Sequence, residues 1–274
     1  MTVEPLGAEE ALELLARGEL DVAGRIVDAS NATLLAHVVM EGVTAACVYK
    51  PVAGERPLWD FPRGTLARRE VAAYVVSAAA GFDVVPPTVL REGPFGPGSA
   101  QLWVEPPPGQ EAVPGAGLVD VVRPREVVDG WRRVLDAYGV DGEPVVLVHA
   151  DEPALARMAV FDAVTNNADR KGGHVLRDAS GAVLGVDHGL TFHADPKLRT
   201  VLWGWAGEPL PQEWADLVAR LAELLEAGDL GTELAGLLNR REVRALHERC
   251  EELLEAGTYP LPEEGRPLIP WPPF

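Results

Sequence analysis

The sequence has very little cysteine. Only Cys47 and Cys250 occur among its 274 residues, and they lie far apart in the chain. Neither belongs to a Cys-x-x-Cys pair or to a Cys/His cluster, so the sequence offers no disulfide framework and no structural zinc site. A chain of this composition fits a reducing compartment, and we therefore expect a cytoplasmic protein.

Long apolar runs are also missing. No stretch approaches the roughly 18 uninterrupted apolar residues of a membrane-spanning helix. Residues 1–10 lack the basic segment and the following apolar segment of a secretory leader. Because these segments are missing, we expect neither insertion into a membrane nor export.

Positive charge is scarce as well. Basic residues number 24 against 42 acidic ones, which gives a formal net charge of −18. Such a chain repels phosphate backbones and anionic headgroups, so nucleic acid and membranes are not expected partners. The 47% hydrophobic content is nevertheless enough to bury a core, and the length suits one large domain or two modest ones.

The first part of the chain has the pattern of a small, mainly β region. Apolar periodicity and turn residues predict a short helix at 8–17, a β-meander within 22–50, a helix over 65–80, and strands at 88–91 and 100–104. Thr65 is the predicted cap of the second helix, and Gly81 its C-terminal stop. The proline-rich stretch at 105–109 then predicts a boundary between lobes.

The second part has a more helical pattern. Helices are predicted at 125–138 and 151–166, followed by a hairpin at 175–186 and by two or three helices between 212 and 256. We predict an α+β fold of two lobes: a small, mainly β lobe with one helix at 1–108, and a mainly helical lobe at 109–274. That order is typical of a two-lobed phosphotransferase. Because the Walker, Rossmann, Gly-x-Ser-x-Gly and His-Glu-x-x-His motifs are all missing, any nucleotide site has to be kinase-like.

Lysine is rare in this chain, which makes Lys50 a stronger candidate for a functional residue. Only three lysines accompany 21 arginines, and Lys50 ends the apolar strand 43–50. Alternation along a strand places it on the same face as Val48 and Ala46, where it would point into a cleft between lobes. The alternative is an edge lysine that extends to solvent.

Glu70 falls within the apolar stripe of the predicted helix 65–80, four residues from both Leu66 and Tyr74. A carboxylate in that position needs a cationic partner. Lys50 is one candidate, and a local pair with Arg68 or Arg69 is the other.

The segment Asn166–His174 holds two of the four asparagines and one of the three lysines of the chain. Phosphoryl transfer needs a carboxylate for the attacking hydroxyl and two further groups for metal and phosphates. Asp169, His174 and Asp187 supply these groups in order. A polar turn with asparagine capping is the alternative; it accounts for Asn166 and Asn167, but not for the Asp-x-Gly that follows the next apolar strand.

Three short motifs resemble the phosphatidylinositol 3-/4-kinase-like branch of the protein-kinase fold, which HipA-like bacterial kinases share. They are Val48–Pro51, Asn167–Arg170 and Val186–Leu190. The stretch 20–208 also resembles a bacterial group labelled phosphatidylinositol-kinase-related. The resemblance implies a protein-kinase-like fold and an ATP-dependent kinase.

The resemblance also implies roles for single residues. Lys50 would bind the α- and β-phosphates of ATP, Glu70 would orient Lys50, Asp169 would be catalytic, and Asp187 would be the principal ligand of magnesium or manganese. His174 departs from the pattern because the family has asparagine there as a ligand of the second metal; imidazole favours softer ions than magnesium.

The rest of the expected nucleotide site follows from chain order. No glycine-rich loop is present, so Ser30, Asn31 and Thr33 would cover the phosphates. Backbone groups near Glu105 would face adenine.

The acceptor is less well defined by the sequence. The segment 188–210 has a formal charge of zero, which argues against a phosphoinositide and for a protein hydroxyl or a small metabolite. Trp203 and Trp205 either line an acceptor pocket or pack in the core. Two other functions stay open: a nucleotide-binding pseudokinase that acts through a protein partner, and an adenylyl transferase on the same fold.

Overall fold

The computed structural model describes residues 6–26, 31–109 and 115–274. Ser30 lies outside these residues. Within them, no helix is both long and apolar enough to cross a bilayer.

The N-terminal region is a five-stranded antiparallel sheet with two helices. Its elements are α1 (Ala8–Arg17), β1 (Glu19–Arg25), β2 (Leu34–Met40), β3 (Val43–Pro51), α2 (Leu66–Ala80), β4 (Thr88–Gly93) and β5 (Gly96–Leu102). The strand order is β1-β2-β3-β5-β4. The predicted β-meander is confirmed. The α2 helix also begins and ends where the sequence predicts, although the Thr65 hydroxyl donates to the Pro62 carbonyl and does not cap the helix.

Local sequence explains why β2 and β3 form a tight hairpin. Glu41 and Gly42 join them with φ angles of 51° and 84°, the left-handed pair that a two-residue turn requires. Register then places Leu34 opposite Tyr49. Leu34, where β2 begins, therefore lies at the Lys50 end of the sheet.

The C-terminal region combines helices with a second sheet. Its elements are β6 (Val119–Val122), β7 (Trp131–Tyr138), β8 (Pro144–Ala150), α3 (Pro153–Thr165), β9 (Val175–Arg177), β10 (Val183–Gly185), α4 (Gln212–Ala227), α5 (Asp229–Leu234) and α6 (Arg240–Ala256). The predicted hairpin is β9–β10. An antiparallel N-terminal sheet and a largely helical C-terminal region confirm the α+β class.

The helix predicted at 125–138 is wrong. Most of that stretch is the strand β7, which pairs with β8 in a three-stranded antiparallel sheet of order β6-β8-β7. The charged residues Arg132, Arg133 and Asp136 give β7 a helical appearance in sequence. Pairing with the almost continuously buried β8 determines its conformation instead, as tertiary context commonly does for weak local preferences.

The two larger of the three apolar clusters in the described residues hold most of the elements together. The smaller one packs α1 against one face of the first sheet, with Leu14 and Leu15 fully buried. The larger one joins α2 to α3, α4 and α6, and contains the edge-to-face pair Phe82 and Phe161. Since α2 packs mainly into this second cluster, Glu70 sits where the N-terminal sheet meets the C-terminal helices. The lobe boundary at 105–109 stays a prediction.

Candidate active site

Lys50 is held between two carboxylates at the end of β3. Its ammonium donates to Oε1 of Glu70 at 2.5 Å and to Oδ1 of Asp187 at 2.8 Å. Burial opposes its charge, but Asp187 and Glu70 raise the pKa of Lys50 above its usual range. Lys50 therefore stays charged and does not extend to solvent.

Glu70 connects β3 to the Asp187 segment. Its second oxygen, Oε2, accepts the backbone N–H of His188 at 2.8 Å. Burial raises the pKa of Glu70, while the ammonium of Lys50 opposes that rise. The alternative local partner Arg69 binds Glu242 and the carbonyl of Thr191 instead.

Asp187 has the most exposed side chain of the three. Its side chain is 48% exposed, against 20% for Lys50 and 4% for Glu70. Its backbone adopts a left-handed conformation with φ of 59°, a strained geometry for a non-glycine residue that is typical of functional sites. Burial opposes ionisation, yet Lys50 holds the pKa of Asp187 well below its usual range.

The loop after α3 is built by two asparagines. Asn166 ends the helix with φ of 53°, and its amide donates to the carbonyls of His193 and Asp195. Asn167 accepts the backbone N–H of Asp169 at 3.0 Å and donates to Asp162 at 2.9 Å. The asparagine turn that was the alternative interpretation is therefore present, and it is the structure that positions Asp169.

Asp169 has the properties of a proton acceptor. Burial raises its pKa to about 6, and the Lys171 ammonium lies 3.6 Å from its carboxylate. A carboxylate with a pKa in this range is ionised at neutral pH and basic enough to take a proton from a reacting hydroxyl.

His174 connects Asp169 to Asp187. Its Nδ1 lies 2.9 Å from the Asp169 carbonyl oxygen, and its Nε2 lies 3.4 Å from Oδ2 of Asp187. Burial lowers the pKa of His174 to about 4, so the ring is neutral near pH 7. With Nδ1–H donating to the carbonyl, the Nε2 lone pair points toward Asp187.

This pair of donors fits a divalent cation bound together with phosphates. A neutral imidazole nitrogen and a carboxylate oxygen are both common ligands of such ions. No group of three or more potential protein ligands occurs in residues 6–26, 31–109 and 115–274. Phosphate oxygens and water would have to complete the coordination, as they commonly do for magnesium.

The remaining predicted nucleotide contacts lie near this site or outside the described residues. Asn31 lies at the Lys50 end of the sheet, where its side-chain oxygen accepts the backbone N–H of Arg56 at 2.8 Å. Glu105 is exposed beyond the end of β5. Among the described residues, the backbone of 104–109 makes no hydrogen bond; because residues 106–108 are prolines, its open groups are mainly carbonyl acceptors, with N–H donors only at Val104, Glu105 and Gly109.

Comparison with known proteins assigns the chain to a family. Protein Rv2133c of Mycobacterium tuberculosis is 51% identical over 264 residues, covering 95% of this chain and 94% of its own length. The chain belongs to the family of that protein. No family model matches it. The crystal structure of the Helicobacter pylori proinflammatory kinase CtkA aligns with 89% of this chain and 94% of its own, at 10% identity and a TM-score of 0.42.

The site of this family member rests on a buried cluster that sequence reasoning missed. Arg170 is fully buried and donates through Nε and Nη2 to Asp162 at 2.9–3.2 Å. The Nη2 atom also lies 2.7 Å from Nε2 of His188, to which the sequence analysis gave no role. Burial and the charge of Arg170 hold the pKa of His188 well below its usual value, so this ring is neutral.

Arg170 also fixes the backbone on both sides of the metal-binding candidates. Its Nη1 donates to the carbonyls of His174 at 3.3 Å and Val186 at 3.2 Å. A Cβ atom on Gly185 would lie 2.8 Å from Nη1, closer than non-bonded atoms normally approach, so a side chain there would overpack the cluster. The sequence signal was Asp162, a carboxylate within the otherwise apolar end of α3.

Proposed function

We propose that this protein is an ATP-dependent phosphotransferase of the atypical-kinase type. The observation that supports this most directly is Lys50, held between Glu70 of α2 and Asp187 of the segment after β10. A strand lysine paired with a helix glutamate is how kinases orient an ammonium on the α- and β-phosphates. Side-chain exposure increases from Glu70 through Lys50 to Asp187, so phosphates can approach this cluster from the Asp187 side.

The other candidate residues have distinct roles in this proposal. Asp187 and His174 would hold magnesium or manganese, which when bound neutralises the charge of the phosphates. Asn31, together with Ser30, would cover the phosphates. Backbone groups near Glu105 would bind adenine.

Asp169 favours catalysis over nucleotide binding alone. Its carboxylate is ionised at neutral pH and can hold the proton of an acceptor hydroxyl. Nucleotide binding alone does not require such a base. Phosphoryl transfer releases ADP, whereas adenylyl transfer releases pyrophosphate, so the released product separates these two reactions.

The acceptor is a protein hydroxyl or a small metabolite. A net charge of −18 and an uncharged segment at 188–210 both argue against a phosphoinositide at an anionic membrane.

The decisive experiment measures ATP affinity by calorimetry in the presence of manganese or magnesium. Lys50→Met should weaken ATP binding by about ten- to a hundredfold, because a charge-assisted contact to phosphate is lost. Arg68→Met is the matched control, since it removes an exposed positive charge from α2 next to Glu70. Equal affinity in wild type and Lys50→Met would contradict the proposal.

A further inference from the structure

A large cavity lies mainly in the C-terminal part of the described residues. It has a volume of about 780 Å³ and opens between residues 194–199, the helix α6 and residues 258–268. This volume falls within the roughly 300–1,000 Å³ of small-molecule sites. Trp203, Leu253 and Leu268 give it an apolar wall.

One wall of the cavity is attached to the loop that carries Asp169. The backbone N–H of Arg199 donates to the Asn167 carbonyl at 2.9 Å, and the N–H of Arg170 donates to the Arg199 carbonyl at 3.1 Å. Burial raises the pKa of Asp169, and the charge of Arg199 is among those that oppose this rise. Arg199 therefore lies both on the cavity wall and within electrostatic reach of Asp169.

Two arginines on the cavity wall have no carboxylate partner within the described residues. Arg249 donates from Nε to Val164 at 2.8 Å and from Nη1 to His193 at 3.3 Å, both to carbonyl oxygens. Its Nη2 is buried and finds no hydrogen-bond acceptor in the described part of the chain. The side chain of Arg199 is half-buried and forms no hydrogen bond or ion pair with any described residue.

The other charges of the cavity are paired or exposed. The pairs are Lys197 with Asp60 at 2.8 Å, Asp195 with Arg241 at 2.7 Å and Glu263 with Arg266 at 3.0 Å. Glu248 and Glu252 are exposed on α6. The half-buried wall is therefore left with two guanidinium groups that can bind an anion, and guanidinium is well suited to carboxylate and phosphate.

We propose that this cavity binds the acceptor, and that the acceptor is a small alcohol carrying a phosphate or a carboxylate. This inference rests on the proposed phosphotransferase activity and specifies its substrate class. Arg199 and Arg249 bind the anionic group, while the apolar wall contacts the carbon skeleton. Asp169 lies on the loop attached to this wall and not on the cavity lining, so the hydroxyl has to extend from the cavity toward it.

The reaction in this arrangement is a balanced transfer. The hydroxyl oxygen of the alcohol forms a bond to the γ-phosphorus of ATP, and the bond from that phosphorus to the β,γ-bridging oxygen breaks. ADP leaves with the electron pair of the broken bond. The hydroxyl proton passes to the carboxylate of Asp169.

The test uses the full-length protein and four probes in calorimetric titrations without ATP. Glycerol 3-phosphate and glycerate present the two anionic groups, glycerol is the neutral control, and a serine-containing acidic peptide represents a protein acceptor. We expect saturable one-to-one binding of at least one small anionic alcohol and none of glycerol. Whichever of the two anions has the higher affinity shows whether the arginines bind a phosphate or a carboxylate.

Variants locate the binding to the cavity. Arg199→Ala should weaken binding of the anion by about tenfold or more, because one charge-assisted contact is lost. The variant should still fold, because Arg199 holds its loop through backbone hydrogen bonds that the substitution keeps. Arg249→Lys, which keeps the charge but not the guanidinium geometry, should also weaken binding. Arg244→Ala, an exposed arginine on α6 outside the cavity, should leave it unchanged.

Three results would overturn the inference: no saturable binding of either anion at millimolar concentration, equal affinity in wild type and Arg199→Ala, or binding of the peptide alone. ATP affinity is measured on the same samples. If ATP binds through Lys50 but the anions do not bind, only the acceptor assignment fails. If the anions bind and Lys50→Met leaves ATP affinity unchanged, the phosphotransferase proposal fails instead.

Discussion

Two charged clusters meet at the segment 185–188, and they differ in exposure. Arg170 and Asp162 are fully buried, and the Arg170 guanidinium forms its hydrogen bonds with protein groups. In the other cluster, exposure rises from Glu70 through Lys50 to Asp187, and the outermost carboxylate reaches solvent. The buried cluster therefore has no room for a ligand and acts as a scaffold, while the open cluster has charge available for phosphates.

The comparison predicts that variants of the two clusters fail in different ways. Loss of a scaffold charge should lower stability, because a buried charge is left without its partner. Loss of one of the more exposed cleft carboxylates, Asp169 or Asp187, should lower binding or turnover with less change in stability, since solvent can reach the partner that is left.

The largest effect is expected at Asp169 in the cleft. Asp169→Asn should lower ADP release by about 10²–10⁴-fold because the proton acceptor is lost, while ATP affinity stays within a few-fold. Turnover kinetics and calorimetry on the same protein measure both quantities. Asp141→Asn, an exposed position on the β7–β8 connection, is the control. Parallel loss of ATP binding in Asp169→Asn would assign this residue to binding and not to catalysis.

The next effect is expected in the scaffold. Asp162→Ala should lower the free energy of unfolding by about 3–5 kcal/mol, because the guanidinium of Arg170 stays buried without a counter-charge. Urea titration followed by circular dichroism measures the change. Asp141→Ala, at the exposed β7–β8 connection, should cost much less. A loss of stability no greater than that of the control would remove the distinction between the clusters.

Acid should destabilise the fold through buried neutral histidines. Burial lowers the pKa of His149 to about 4, and its Nε2 accepts the backbone N–H of Gly204 at 3.0 Å. The unfolded chain binds a proton near pH 6.5 and the folded chain does not, so stability is lost as pH falls from about 6.5 to 4, by up to about 3 kcal/mol for this residue. Urea midpoints at a series of pH values measure it. His149→Gln should flatten the profile, and an unchanged slope would show that His149 does not contribute.

The smallest effect is expected at Gly185. Gly185→Ala places a methyl group about 2.8 Å from the Arg170 guanidinium, which is fully buried and cannot move away. We expect a loss of about 1–3 kcal/mol from overpacking. Gly24→Ala, at an exposed strand position with open space around it and, like Gly185, without a positive φ, is the matched control. Similar losses in the two variants would mean that contact with Arg170 adds nothing.

Sequence reasoning was strongest where rare residues stood inside regular patterns. Lys50 at the end of an apolar strand and Glu70 in an apolar helix stripe were each conspicuous, and the structure brings them within hydrogen-bond distance. Their roles with ATP stay predictions, as does the role of His174. Trp203 and Trp205 illustrate an ambiguity that local sequence cannot resolve: the first lines the cavity, and the second stacks on Tyr259 in the core.

The sequence by itself determined the α+β class, the helix α2 and the hairpin β9–β10, because hydrophobic period, glycine stops and turn residues act over short distances. Only the tertiary structure decided that β7 is a strand, since its partner β8 supplies the hydrogen bonds that its own sequence does not specify. The same holds for the cluster of Arg170, Asp162 and His188, and for Arg199 and Arg249, which have no carboxylate partner in the described part of the chain. Whether a charge is paired depends on neighbours that are distant in the chain, and packing alone brings those neighbours together.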